Sequence, residues 1–154
     1  MVRLGIVSDS HQSQFWTERF LERANREKYD AVFHLGDGEA EARWLSRRLE
    51  MPIQHVAGNC DMFSRAAREV FASYEGHRIL ACHGHLHNVK WELESLSYYA
   101  EERGADIALY GHTHEARVGY VGPVLLINPG ALMRGRFCEL TLDGRHIIPK
   151  LMEL

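Results

Sequence analysis

Five clusters of polar side chains in the sequence each follow a short apolar segment directly. They are Asp9-Ser10-His11, Gly36-Asp37, Gly58-Asn59, His83-Gly84-His85 and Gly111-His112-Thr113-His114. Aspartate, asparagine and histidine form a mixed oxygen and nitrogen donor set, which is too rich in nitrogen for calcium and suits manganese, iron, nickel, cobalt or zinc. The chain also holds ten histidines in 154 residues, which again indicates transition-metal chemistry.

These donors are too many for one ion. Two ions about 3.5–4 Å apart, bridged by a carboxylate, would use the whole set, and such a pair generates hydroxide near neutral pH and binds both the attacking and the leaving oxygen. Each cluster taken alone has a simpler interpretation as ordinary turn chemistry, because aspartate, asparagine and glycine are common in turns. Their joint occurrence after successive apolar segments favours a metal site.

The elements that must position these clusters begin with an alternation of strands and helices. Apolar runs predict strands at Arg3–Ser8, Ala31–Leu35 and Ile53–Val56. Helical spacing of apolar residues predicts a helix that Ser13 caps and that runs to about Arg26, and a second helix over Glu39–Leu49. This β-α-β-α-β order implies a parallel sheet covered by helices. Because ligands bind outside the carboxyl ends of such strands, the polar clusters are expected to converge there.

The second half of the chain is richer in strands. Asn88 is predicted to cap a helix that ends near Arg103, with Trp91 and Tyr99 of that helix in core or dimer contacts, and a short helix is expected over Ser64–Arg68. The predicted strands are Glu69–Ser73, Arg78–Cys82, Asp106–Tyr110, Ala116–Val121, Val124–Asn128, Phe137–Leu142 and His146–Leu151.

Composition limits the class of protein. With 45% hydrophobic and 25% charged residues in 154, the chain suits one domain over residues 1–154, and no apolar run approaches the roughly 20 residues of a membrane helix. We expect no strong binding to nucleic acid or membranes, because the net charge is −3. Three unpaired cysteines and a start without a signal-peptide pattern favour the reducing cytoplasm.

The order of the motifs resembles that of the calcineurin-like metallophosphoesterases. The resemblance rests on Asp9-x-His11, Gly36-Asp37, Gly58-Asn59-x-Asp61, His83 and Gly111-His112-x-His114. The short chain, the variant Gly58-Asn59-Cys60-Asp61 and the turn Asn128-Pro129-Gly130 are similar to the small YfcE-type phosphodiesterases of bacteria and archaea. The resemblance implies a four-layer α/β/β/α sandwich with two mixed sheets, a dinuclear metal site at the strand ends and hydrolysis of phosphate esters, with manganese a frequent activator.

The resemblance also assigns ligands by position. It places the first metal on Asp9, His11 and His114, the second metal on Asn59, His83 and His112, and Asp37 between the two metals. A bridging ligand needs two anionic oxygens, which Asp37 offers, whereas Asn59 supplies a neutral carbonyl. Asn59 and His85 are the predicted catalytic residues, with His85 in contact with the phosphate or with a metal-bound water.

The predicted substrate contacts include a departure from the wider family. Many relatives carry histidine after the asparagine, where it is taken to protonate the leaving alkoxide or to contact the phosphate, but this chain carries Cys60. A thiol is a poor proton donor to oxygen, so the change favours diesters with good leaving groups over monoesters. The alternative for Cys60 is a small buried side chain. Arg65 and Arg134, near the Asn59 and Asn128 turns, are predicted to reach the substrate phosphate, and Asp61 is expected to support the Asn59 loop.

Three functions follow from these observations. The first is a dimetal phosphoesterase that attacks small phosphodiesters with a metal-bound hydroxide and needs no covalent protein intermediate. The second is a protein-binding scaffold of the same fold, like the retromer scaffold subunit, in which the metal site is degraded. The third is a zinc-dependent hydrolase of amides or thioesters. The intact ligand positions favour the first, and relatives imply a homodimer or a higher homo-oligomer.

Overall fold

Ten strands and three helices form along the chain, described for all 154 residues by a computed structural model. The helices are α1 (Gln14–Glu27), α2 (Glu39–Ser46) and α3 (Glu94–Glu102). The strands are β1 (Val2–Val7), β2 (Ala31–His34), β3 (Ile53–His55), β4 (Glu69–Tyr74), β5 (His77–Cys82), β6 (Ile107–Leu109), β7 (Arg117–Val121), β8 (Val124–Asn128), β9 (Arg136–Asp143) and β10 (His146–Glu153). Single 3-10 turns lie at His85–His87 and Leu132–Arg134.

The strands form two mixed five-stranded sheets. The first has the order β10-β9-β1-β2-β3 and the second the order β4-β5-β6-β8-β7. Strands β1, β2 and β3 are parallel to one another, and so are β5, β6 and β8. Antiparallel pairing joins β9 to β1 and β10 in the first sheet, and β4 to β5 and β7 to β8 in the second. The loops that follow β1, β2 and β3 therefore leave one end of the first sheet, and those after β5 and β6 leave one end of the second.

The two sheets pack face to face. Their inner faces share one buried cluster that includes Leu4, Phe33, Ile79, Ile127 and Leu140. Full burial of each such side chain contributes about 1.5–3 kcal/mol. This packing is what brings the loop ends of the two sheets to one side of the molecule.

Helices cover both outer faces. Helices α1 and α2 cover the first sheet through residues such as Phe20 and Leu45, and α3 covers the second through Leu96 and Ala100. The layers are thus α/β/β/α, which confirms the predicted fold class. None of the three helices is long and apolar enough to cross a bilayer.

Local signals predict some of these boundaries and miss others. Ser13 caps α1 as expected, because its hydroxyl accepts from the Trp16 amide at 3.4 Å. The predicted helix from Asn88 is wrong over its first turns: Asn88 has φ 56° and ends the His85–His87 turn, and α3 begins only at Glu94. Trp91 accordingly lies before α3 with 86% of its surface exposed, which excludes the core from its two predicted settings and leaves the dimer contact as a prediction. The expected short helix over Ser64–Arg68 is an irregular segment.

Candidate metal centre

The loops after the parallel strands carry an unusual concentration of left-handed backbone. Five of the predicted metal ligands have positive φ angles there: Asp9 (54°), His11 (41°), Asp37 (58°), His112 (70°) and His114 (63°). Such conformations are uncommon outside glycine, cost free energy and gather at functional sites. They turn each of these side chains toward the same point above the sheet ends.

The first group of donors consists of Asp9, His11 and His114. Oδ1 of Asp9 lies 3.2 Å from His114 Nε2 and 3.5 Å from His11 Nε2. The two imidazole nitrogens are 3.3 Å apart. Asp9 is fully buried, whereas the two histidine side chains are about a quarter exposed, at 28% and 25%. The group therefore opens to solvent on its histidine side.

The second group consists of Asp37, His83 and His112. Nδ1 of His83 donates to the carbonyl oxygen of Leu35 at 2.8 Å, because that oxygen only accepts. Nε2 of His83 then faces Asp37 Oδ2 and His112 Nδ1, each at 3.2 Å. A backbone bond to the far ring nitrogen is the usual way in which a metal-binding histidine is oriented.

Asp37 joins the two groups. Its Oδ2 also lies 3.7 Å from His11 Nε2, and its Oδ1 accepts from the Cys60 amide at 2.8 Å. Burial opposes ionisation of this carboxyl, but the hydrogen bond and charge of His83 and the Cys60 amide together hold its pKa well below the ordinary value. We call the two groups together the strand-end cluster: Asp9, His11, Asp37, His83, His112 and His114.

The strand-end cluster suits divalent cations. Oδ1 of Asp9 is buried without any hydrogen-bond partner, although imidazole nitrogens of three histidines lie within 3.9 Å of it. Donor atoms within each group lie within 4.8 Å of one another. Burial, with the charges of His83 and Lys90, lowers the pKa of His112 to about 4, so its ring is neutral and offers a lone pair at pH 7. Imidazole nitrogens and buried carboxylate oxygens that face one another in this way form a donor set for a cation.

Asn59 and Cys60 lie at the rim of the cluster. Both are exposed, and the Asn59 amide donates to Cys60 Sγ at 3.5 Å. The exposure of Cys60 rules out the alternative of a buried side chain. Its sulfur lies within 4.8 Å of donor atoms of His11 and Asp37, while partial desolvation of the thiol and the Asp37 charge raise its pKa. The predicted ligand role of Asn59 stays a prediction.

Asp61 supports the loops as expected. Its carboxylate accepts from the backbone amides of Asp37 (2.8 Å), Gly38 (3.0 Å), Glu39 (3.2 Å) and Gly58 (2.8 Å). Gly58 itself must lack a side chain, because a Cβ atom there would collide with Asp37 Oδ1. The glycine beside the predicted ligand thus permits the close approach of the two loops.

A buried chain of polar groups below the cluster includes members that the sequence did not reveal. The Glu41 carboxylate accepts from Ser10 Oγ and from the Gln12 amide, both at 2.7 Å. His34 Nδ1 accepts from the Gly36 amide at 3.1 Å, so its Nε2 donates to Ser10 Oγ at 2.9 Å. Burial lowers the pKa of His34 to about 4, which keeps the ring neutral. The spacing of Glu41 four residues before Leu45, on the apolar face of α2, is the signal that could have found it.

The remaining predicted contacts surround this centre at different depths. The His85 ring lies 5.4 Å from that of His83, and its Nδ1 is buried without a partner. Burial, with the charge of His83, lowers the pKa of His85. Arg65 and Arg134 are exposed. Arg134 follows Met133, whose amide donates to the Asp9 carbonyl at 3.2 Å, whereas no such contact ties Arg65 to the cluster.

Two depressions lie near the loops of the strand-end cluster and share no lining residue. One, of about 480 Å³, is lined by His11, Asp37, Cys60 and the start of α2. The other, of about 670 Å³, lies between the segment before α3 and the residues from Tyr110 to Arg117. Both volumes fall within the range of small-molecule sites.

Comparison with known proteins gives consistent matches. Residues 2–142 match the family described as the calcineurin-like phosphoesterase superfamily domain. YsnB of Bacillus subtilis, a probable metallophosphoesterase, is 38% identical over 145 residues, which cover 90% of this chain and 83% of the relative. A probable metallophosphoesterase of Methanothermobacter thermautotrophicus is 25% identical over 154 residues, covering 94% and 88% of the two chains.

Solved structures share the same fold. A predicted phosphoesterase of Streptococcus pneumoniae superposes with a TM-score of 0.84 at 28% identity, over 99% of this chain and 89% of that chain. A structure described as a novel archaeal phosphodiesterase gives a TM-score of 0.79 at 21% identity, over 98% and 100% of the chains. Vps29 of Entamoeba histolytica, solved with zinc, gives 0.78 at 20% identity, over 99% of each chain.

Proposed function

Because the chain belongs to the calcineurin-like phosphoesterase superfamily, we propose that it hydrolyses phosphodiester bonds of small substrates with two divalent metal ions bound at the strand-end cluster. The family depends on divalent metals, and the chain carries matching donors. The observation that carries the proposal is the placement of Asp37, whose carboxylate faces both His11 and His83 and so belongs to both donor groups.

Each group would hold one cation. Asp9, His11 and His114 would bind the first, His83 and His112 with Asn59 the second, and Asp37 would contact both. The bound cations would activate water as Lewis acids and neutralise charge on the phosphate oxygens. Manganese is the first ion to test, with nickel, iron, cobalt and zinc as alternatives that the same donors accept.

The protein's own residues would orient the substrate. His85 is neutral near pH 7, because burial lowers its pKa, and its unpartnered Nδ1 is the atom that we assign to a phosphate oxygen. The exposed guanidinium groups of Arg134 and Arg65 supply further phosphate contacts. The Asp61 carboxylate and the Glu41 chain hold the loops, so that the donors keep their positions when a charged substrate arrives.

Two features favour a diester over a monoester. A diester carries two organic groups, and two separate depressions are available: one is lined by His11 and Asp37, and the other by Thr113, which lies between His112 and His114 in sequence. Cys60 stands where many relatives have a histidine, and its raised pKa keeps it a protonated thiol, which assists a poor leaving group weakly. A phosphodiesterase among the proteins of this fold is in line with this choice.

We also propose where the enzyme acts and what it binds. All three cysteines are free, as expected in the reducing cytoplasm. The partner that we propose is a small phosphodiester, with no membrane and no strong nucleic-acid binding, and the expected assembly is a homodimer or a higher homo-oligomer.

The test is turnover of bis(p-nitrophenyl) phosphate and of p-nitrophenyl phosphate by the manganese-loaded protein. We expect a higher kcat/KM for the diester. Asp37→Asn should lower it at least 100-fold, and by more than His85→Ala, because it removes charge from both donor groups. Asp143→Asn is the matched control, since Asp143 is exposed at the end of β9.

Two results would contradict the proposal. Near-normal turnover in fully folded Asp37→Asn would remove the bridging role. Absence of turnover for every diester in protein that holds its metals would favour the scaffold alternative.

A further inference from the structure

The larger depression is built from residues that the proposed catalytic centre does not use. We call it the aromatic groove and define it by Lys90, Trp91, Tyr110, Thr113, Glu115 and Arg117. It is formed where the irregular segment before α3 passes the loop that joins β6 to β7. Its volume of about 670 Å³ is typical of a small-molecule site.

The aromatic groove shares a loop with the metal centre. Thr113, one of its lining residues, lies between His112 and His114 in sequence, and its hydroxyl accepts from Asn128 Nδ2 at 2.9 Å. A ligand in the groove would therefore contact the loop that carries two of the predicted metal ligands.

Tyr110 lines the groove. The residue is only 2% exposed, and its hydroxyl makes no hydrogen bond to another protein group. The hydroxyl oxygen is not fully shielded from solvent, so water can be its partner in the free protein. A molecule bound in the groove would replace that water as a hydrogen-bond partner of the phenol.

The other lining groups suit a flat, polar-edged ligand. The Trp91 indole is 86% exposed, although tryptophan is normally well buried. Lys90, Glu115 and Arg117 form no ion pair in the structure, so their side chains are free to bond to a ligand. A stacking surface, a phenol, an acceptor and two donors around one groove match the π-face and the hydrogen-bonding edge of a nucleobase.

Resting on the proposed function, we propose that the aromatic groove binds the nucleobase of a nucleoside phosphodiester whose phosphate lies at the metal centre. In the reaction a water oxygen forms a new bond to phosphorus, the bond from phosphorus to one ester oxygen breaks, and the water proton leaves with that oxygen or to solvent. The nucleoside half stays in the groove, stacked on Trp91 with its edge toward Tyr110 and Glu115.

The test compares adenosine 5′-monophosphate with ribose 5-phosphate, which lacks the base, in metal-free protein. Stacking on an aromatic side chain is worth on the order of tenfold or more in affinity, so the nucleotide should bind at least tenfold more tightly. The indole N–H signals of the three tryptophans report the location. Only that of Trp91 should shift on titration, while those of Trp16 and Trp44 act as internal controls.

Variants sharpen the result. Trp91→Ala and Tyr110→Phe should each reduce the affinity ratio of the two ligands several-fold. Tyr98→Ala should leave the ratio unchanged, because Tyr98 is an equally accessible aromatic residue of α3, 67% exposed, outside the groove. Equal affinity of the two ligands, or a Trp91 signal that responds to protein concentration instead of nucleotide, would overturn the inference. The latter would make this face a contact between copies of the chain.

The proposed function and this inference fail separately. Turnover of bis(p-nitrophenyl) phosphate without any preference for the base would leave the phosphodiesterase and remove the groove assignment. Base-selective binding in a protein that hydrolyses no diester would retain the groove and contradict the catalytic proposal.

Discussion

Replacement of Glu41 by glutamine should loosen the hydrogen-bond chain that holds the loop carrying Asp9 and His11. The Glu41 side chain is almost fully buried, and one of its oxygens accepts from both Ser10 Oγ and the Gln12 amide at 2.7 Å. Glutamine has nearly the same size, and its amide oxygen can accept the same two bonds. The substitution therefore removes the charge and leaves the packing and the geometry.

The magnitude follows from these two bonds. A hydrogen bond to a charged group contributes about 1.5–3 kcal/mol and a neutral one about 0.5–1.5 kcal/mol, so each bond loses roughly 1 kcal/mol. The free energy of unfolding of Glu41→Gln should fall by about 2 kcal/mol, and for a chain of this size Tm should fall by about 4–8 °C. Glu41→Ala leaves both donors unpaired and should cost about 2–6 kcal/mol.

Two measurements test this. Urea unfolding of the metal-free protein gives the free energy of unfolding, and calorimetric titration of the folded protein gives the manganese affinity. Residues that orient metal ligands typically change affinity by about 10- to 100-fold, and we expect a loss of that size for Glu41→Gln. Glu22→Gln is the matched control, because Glu22 is an exposed helical glutamate without a side-chain hydrogen bond; it should stay within about 0.5 kcal/mol. Equal stability and equal manganese affinity in Glu41→Gln and Glu22→Gln would refute the reasoning.

Four further predictions concern other parts of the molecule. Gly58→Ala should weaken metal binding, because its Cβ would collide with Asp37 Oδ1, whereas Gly119→Ala meets open space and should bind normally in the same titration. His77 forms hydrogen bonds to Asp106 (2.6 Å) and to the Gly144 carbonyl (2.7 Å), and the Asp106 bond raises the pKa of His77. The contribution of His77 to the stability of the fold should be complete below about pH 6.5. The difference in unfolding free energy between the wild-type protein and His77→Gln should shrink as pH rises through the raised pKa. Cys60→His should raise the ratio of monoester to diester kcat/KM, because a well-placed general acid raises the rate by about 10²–10⁴-fold. Cys60→Ser should leave this ratio unchanged. An unchanged ratio in metallated Cys60→His would make the residue structural. Elemental analysis of saturated protein should find two ions per chain, and one ion per chain at saturation would contradict the dinuclear assignment. Metal removal should lower Tm, by the equivalent of about 2.7 kcal/mol for each ion lost when the free metal had been at 100 times Kd.

Part of this protein can be read from the sequence because the signals are local. Apolar runs mark the strands β1, β2 and β8, and a serine before a periodic segment marks the start of α1. The polar clusters are detectable because each directly follows its strand, and parallel strands place their carboxyl ends at one edge. That reasoning predicts the convergence of Asp9 and Asp37 from strand order alone.

Tertiary packing decided what local signals cannot specify. The approach of Asp37 to His83 depends on two sheets packing face to face, since the two residues belong to different sheets. The burial of Glu41 depends on the side of α2 that meets the first sheet. The segment after Asn88 has helical composition, but the His85–His87 turn ends there in a left-handed residue, so the chain exposes Trp91 and forms the groove beside the metal centre. Sequence periodicity carries information only about residues a few positions apart, whereas these contacts join residues that are dozens of positions apart in the chain.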